Sequence, residues 1–316
     1  FWVIIYTPSL YATAPEGARN LAIWVGMLCA LLGIMPALFC KELVLPEAMK
    51  KSSLSLKGLA STSKEFFTGI KQTIINVPFL RLCGATFLVF NGFQTIAQFA
   101  FFIIIFYLFN GDTSAAGHWP AWFGTIMSMA TAFLVIPIIT IISQKLGKKN
   151  TFILSTVLSI IGYTLKWWCF DPTNPYLMFL PLPLISFGIG GLFTLMMSMT
   201  ADVCDLDELK NETRREGTFG AVYWWMVKLG NAVALLTSGA VLNLVGFDEN
   251  ATAQTVETLT NLRIADIVIP VIAGFLAILI MWNYDLSEQK AHEIKEALIT
   301  RRGRAKHQGE NKSVSE

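Results

Sequence analysis

Apolar runs of about 20 residues, each long enough to span a hydrocarbon core as a helix, recur along this chain. Nothing else in the sequence constrains its fold as strongly. Seven such runs stand out, near residues 20–40, 80–109, 117–142, 151–170, 176–199, 218–245 and 264–284. Residues 1–10 (FWVIIYTPSL) look like the tail of an eighth. A soluble domain carries roughly 25% charged residues. Here 15% of residues are charged and 54% hydrophobic. The fold class expected is all-α and integral to a membrane, with about seven transmembrane helices.

The charges are few and unevenly placed. Net charge is +2, yet twenty of the 24 Lys and Arg fall in four segments. These are the connection from Lys41 to Arg81, the turn at Lys145, Lys148 and Lys149, the loop with Lys210, Arg214 and Arg215, and the tail from Lys290 to Lys312. The alternate loops, near 111–118, 171–175 and 246–263, hold Asp, Glu, Asn and Pro, with Arg263 as their one basic residue. The positive-inside rule then puts the basic loops and the C-terminus in the cytoplasm of a cell bounded by this membrane. Because the basic tail serves as a topology signal beside anionic lipid, no nucleic-acid partner is expected. Five scattered cysteines and three histidines show no metal-ligand or redox spacing, so neither metal nor cofactor is expected. No nucleophile–base constellation is visible, which argues against an enzyme.

Residues 41–79 form a long connection between apolar blocks. Within it, LKGLASTSKEFFTGIKQTI reads as a short surface helix. Asn76 is a candidate cap and Pro78 suits a first helical turn. Six spans then follow with short loops. That pattern suggests one half of a twelve-helix transporter, built as two six-helix halves around a central site. The expected layout has residues 1–41 ending the first half and 42–79 linking the halves. Residues 80–285 would form the second half and 286–316 a cytoplasmic tail. The spans would be helices 6–12 of twelve. The chain opens on Phe1 without a signal peptide, and the expectation is that most of the first half is missing. Beyond Arg302 the composition reads as disorder.

An ionisable residue inside a span costs about 2.5–3.5 kcal/mol on insertion scales, so each is a candidate functional group. Lys228 lies roughly 15 Å into its helix, near the midplane. At 100° per residue, Ala221, Trp224, Lys228, Asn231, Leu235 and Ser238 form one stripe. An ammonium, an indole and an amide on one face suit a sugar, with hydroxyls on its rim and CH groups on its ring faces. The alternative is a structural charge paired with an acid on a neighbouring helix. Lys166 stands four residues from a span end beside Trp167 and Trp168, and reads as a side chain snorkelling to the outer interface. On that reading Lys166→Gln keeps substantial transport. Asn91, Gln94 and Gln98 make one polar edge, which either lines a solute path or bonds helix to helix. Ser128, Thr194 and Ser198 are weaker candidates, since a lone hydroxyl usually bonds its own backbone. The glycines of SFGIGG (186–191) suit close helix packing over a gating kink. No Asp or Glu reads as deep in a span; Asp202, Asp205, Asp207 and Glu208 cluster at a helix end and Asp266 lies near another.

The stretch ADVCDLDELKNETRREGTFGAVYWWMVKLGNA resembles the glycoside–pentoside–hexuronide:cation symporters of the major facilitator superfamily. Ala201-Asp202, the acidic run Asp205 to Glu208, Arg215-Glu216-Gly217 and Lys228 before Gly230 carry the resemblance. YDLSEQKAHEIKEALITRR is similar to the family's C-terminal helix, and NVPFL to its start of helix 7. KLGKK resembles the superfamily's basic turn after helix 8, with Gln144 where an acid is usual. The resemblance implies a major facilitator fold and uptake of a sugar coupled to Na⁺ or H⁺ by alternating access. It places Lys228 near the sugar; the stripe on the same helix adds Trp224 and Asn231, and the polar edge adds Asn91, Gln94 and Gln98, to the expected substrate-binding residues. It leaves the cation-binding acids on the other half. Asp202, Asp205, Arg214 and Arg215 are expected either to contact that half at a cytoplasmic gate or to be solvated loop charges. The expected partners are a sugar, the coupling cation and the plasma-membrane bilayer, with the protein monomeric. Some relatives carry lipids or other solutes, which keeps a non-sugar carrier as the alternative.

Overall fold

A computed structural model describes residues 14–40, 70, 73–248, 251 and 253–314. Every regular element among them is helical. Helix α1 covers Ala14–Phe39. Helix α2, Val77–Phe102, continues as a π-helical segment, Ile103–Leu108. After the short α3 (Thr113–Ala116), α4 (Trp119–Met129) runs through a second π segment, Ala130–Val135, into α5 (Ile136–Leu146). Then come α6 (Lys148–Cys169), α7 (Leu182–Asn211), α8 (Glu216–Leu244), α9 (Val256–Trp282) and α10 (Glu288–Val314). Seven of the helical stretches are long and apolar enough to cross a membrane, in the places the sequence pattern predicts. The suspected eighth span at 1–10 and most of the 41–79 connection lie outside the described residues.

Local rules set the boundaries. The Asn76 side chain accepts from the Phe79 N–H at 3.2 Å, and Pro78 occupies the first turn, where its missing N–H costs nothing. Gly147, at φ +76, turns α5 into α6 in one residue. Glu212 closes α7 in the left-handed region. The tail departs from expectation: α10 continues to Val314 where disorder was predicted. Its mixed-sign run of Lys, Glu, Gln and Ala is rich in helix formers, which outweighs two glycines. Of its apolar stripe, Ile294 and Leu298 are buried and Ile299 faces outward.

Helix α2 is the hub. A Cβ on Gly92 would come within 3.1 Å of Pro270 Cα and 3.3 Å of Ala273 Cβ, so α9 lies almost backbone to backbone against it. Gly230 brings α8 equally close, 3.3 Å from the Phe87 carbonyl. Small residues at helix crossings are what membrane bundles use in place of a hydrophobic driving force. The SFGIGG glycines do the same for α7. A Cβ on Gly188 would strike Ser159 of α6, and one on Gly190 would strike Val135 of the second π segment. Two cores result. One, built on Phe79, Phe152, Met199, Phe219 and Met281, sits at the end bearing the basic loops. The other, built on Phe99, Ile103, Tyr163, Ile185 and Leu262, sits at the far end. Helix α1 stands apart, burying none of its apolar window.

Candidate functional site

The α2–α8 seam holds three of the sequence-predicted polar residues. Asn91 donates to the Gly230 carbonyl at 3.2 Å. One turn on, Gln94 donates to the Asn231 side-chain oxygen at 2.6 Å. Asn91, Gln94 and Asn231 therefore bond helix to helix, and all three are half-buried. The approach that Gly230 permits makes the Asn91 bond possible. Gln98, one turn further, is outside this seam and lines a cavity.

Lys228 projects from α8 on the side away from the packed stripe Phe219, Tyr223, Val227, Gly230 and Ala234. It is exposed and has no ion-pair partner among the described residues. Trp224, one turn before it, is 45% exposed and stacks on Phe193 of α7 at 6.3 Å between centroids. Ala221 and Leu235 share this outward face, whereas Ser238, assigned to the same stripe by the helical wheel, is buried. The stripe drifts because a 3.6-residue period does not return to the same face over 17 residues.

Phe193 joins this face to a cavity of about 830 Å³ between α2, α4, the second π segment and α7. Phe101, Phe123, Phe193 and Gln98 form much of its wall, with Ser128 and Thr131. Both hydroxyls are committed to their own backbone, Ser128 to Gly124 at 2.9 Å and Thr131 to Met127 at 2.8 Å. Among the described residues, the Gln98 amide in that wall makes no such local bond. π-Helical turns recur at functional positions in helices, and here they flank the cavity on α2 and after α4.

At the basic end the candidate gate residues are paired within the chain. Lys148 bonds Asp202 at 2.6 Å, Arg214 bridges Glu208 at 2.6 Å and Asp205 at 3.1 Å, and Arg215 grips Asp207 at 2.7 Å. Arg301 of α10 reaches the Glu208 carbonyl at 3.2 Å. The Glu216 and Glu208 carboxylates hold the Arg214 guanidinium above its ordinary range. These contacts tie the end of α7 to α6, to the α7–α8 loop and to α10.

Lys166 overturns its sequence reading, and Asp266 overturns the expectation that no acid lies deep in a span. Lys166 is 2% exposed and pairs with Asp266, also 2% exposed, across the α6–α9 contact. Lys166 stands in the last turn of α6 and Asp266 nearly three turns into α9, and both point into protein and not to the interface. Trp168, 69% exposed, takes the outward position. A signal was present. Ser155, Ser159, Gly162 and Lys166 recur every three or four residues, so Lys166 belongs to the small-residue face that packs. Above the pair, Arg263 donates to the Tyr107 hydroxyl and to the Trp167 carbonyl, both at 2.6 Å, and stacks on both rings.

Among the described residues, seven helices long and apolar enough to cross a membrane define a multi-pass membrane protein. The chain belongs to the MFS/sugar transport protein family, which it matches over residues 3–288. It is 28% identical over 220 residues to the glucuronide carrier protein homolog of Escherichia coli, covering 69% of this chain and 46% of that protein. It is 24% identical over 225 residues to the isoprimeverose transporter of Lactiplantibacillus pentosus, covering 71% and 45%. The sodium-dependent lysophosphatidylcholine symporter 1 of Xenopus tropicalis is 24% identical over 276 residues, covering 86% and 50%. The chain thus spans about half the length of the curated relatives it matches. The first two of these names agree with the resemblance to glycoside–pentoside–hexuronide:cation symporters; the third does not.

Proposed function

We propose that this chain forms part of a cation-coupled sugar symporter that works by alternating access. In this reading α1 closes one six-helix half and α2 to α9 make the other. The basic loops and α10 face the cytoplasm of a plasma-membrane carrier. The coupling ion, Na⁺ or H⁺, binds acids on the first half. The observation that carries the reading is Lys228, exposed on a spanning helix beside Trp224. A lone ammonium at that depth cannot face lipid cheaply, so it faces water, solute or an acid in a central cavity. The seam amides fix α8 against α2 and so set where Lys228 and Trp224 stand, while Gln98 offers a donor from the adjoining wall. Breaking of the Asp202, Asp205, Arg214 and Arg215 contacts on inward opening would make that network a gate.

A second reading, transport of a lipid or other apolar solute, draws on the phenyl-lined wall of the cavity and on the lysophosphatidylcholine relative. Tryptophan fluorescence of the purified full-length carrier separates the two. Titration with a glycoside, a pentoside or a hexuronide is expected to give a saturable change that Trp224→Phe abolishes. A response confined to lysophosphatidylcholine would favour the second reading instead.

A further inference from the structure

The buried pair at the far end has no place in solute binding as described above, yet it connects to the site through three close contacts. Lys166 and Asp266 join α6 to α9. Two turns further along α9, Gly274 lets Ile160 of α6 approach to 3.1 Å from where its Cβ would be. The antiparallel pair α6–α9 is therefore fixed at two levels. Between those levels lies Pro270, one turn beyond Asp266, and Pro270 is the residue against which Gly92 of α2 packs at 3.1 Å. Gly92 in turn stands between Asn91 and Gln94, the two amides that hold α8. A contiguous path thus runs from the ion pair through α9 and α2 to the helix carrying Lys228. Packing alone fixes helix register loosely, because neighbouring ridges and grooves are alike. A charge pair fixes it sharply, because a shift by one turn leaves both charges unpaired in an apolar setting. Among the described residues the second oxygen of Asp266 has no hydrogen-bond partner, so the carboxylate depends on Lys166.

We propose that Lys166 and Asp266 are positioning residues: they set α9 in register on α6 and thereby place the α2 amides and the α8 solute face. This rests on the solute site proposed above. The test uses the full-length carrier, with folded yield measured by size-exclusion chromatography and with uptake kinetics. Lys166→Met and Asp266→Leu are each expected to lower folded yield about tenfold, since each strands a buried charge. The double variant Lys166→Met/Asp266→Leu, neutral and apolar, is expected to recover yield to within about twofold. Its KM is expected to rise about fivefold, with Vmax per folded molecule unchanged, because the register pin is gone. A double variant with wild-type KM would overturn the proposal, leaving the pair merely structural. So would a double variant recovered no better than the single ones, since folding itself would then need the charges. Wild-type yield and KM in both single variants would overturn it as well. A wild-type carrier that takes up no sugar, with yield still rescued in the double variant, would count against the solute reading alone.

Discussion

Lys228→Ala in the full-length carrier is expected to weaken sugar binding and concentrative uptake roughly ten- to hundredfold, with folded yield little changed. The magnitude follows from what the ammonium supplies. A hydrogen bond to a charged donor contributes about 1.5–3 kcal/mol, and each 1.4 kcal/mol is about tenfold in affinity. Folding is spared because Lys228 is exposed and makes no ion pair among the described residues. The stripe Phe219, Tyr223, Val227, Gly230 and Ala234 holds α8 in place without it. Trp224→Ala should act in the same direction but more weakly, because the indole offers a platform and no charge. Gradient-driven uptake of labelled sugar into proteoliposomes, normalised to folded carrier, measures both. Unchanged uptake in Lys228→Ala would remove the lysine from the site.

The second large effect is one of stability and lies at the basic end. Arg215→Ala is expected to destabilise the folded carrier by about 3–5 kcal/mol, the usual cost of removing one partner from a buried ion pair. Asp207 is 3% exposed and is held by Arg215 through contacts of 2.7 and 3.0 Å. Asn211 donates a further bond to it at 2.8 Å, too little to neutralise the charge alone. Asp207→Ala/Arg215→Ala should recover part of the loss, and the cycle of single and double variants reads the coupling. Arg214→Ala makes the contrast. Its guanidinium is 41% exposed, and water replaces much of what it loses, so its effect should be near the 0–1 kcal/mol of a surface pair. Thermal unfolding of the purified carrier, followed at fixed detergent, distinguishes these cases.

The spans were legible because length and hydropathy are local properties, and lipid demands that every backbone bond be satisfied within a helix. The Asn76 cap and the glycine packing of SFGIGG were legible for the same reason. Which face of a helix meets protein was less so. An amphipathic soluble helix marks its buried side with apolar residues, but a membrane helix is apolar all round, and small residues mark the packed side instead. That is why Lys166 read as an interfacial snorkel although Ser155, Ser159 and Gly162 were marking its face as packed. Asp266 was hidden in the same way: its nearness to a span end said nothing about which way it pointed. Asn91 and Gln94 left two roles open in the sequence. Their partners, Gly230 and Asn231, lie more than 130 residues away, and only the fold brings them within bonding distance.

The measurement closest to the central claim is ion-driven uptake by the full-length carrier in proteoliposomes. An inward Na⁺ or proton gradient is expected to drive a glycoside, pentoside or hexuronide to a higher concentration inside than outside. Collapsing the gradient is expected to release the accumulated sugar. Equilibration without accumulation under both gradients, or accumulation of a lysophospholipid with no sugar competing, would contradict it.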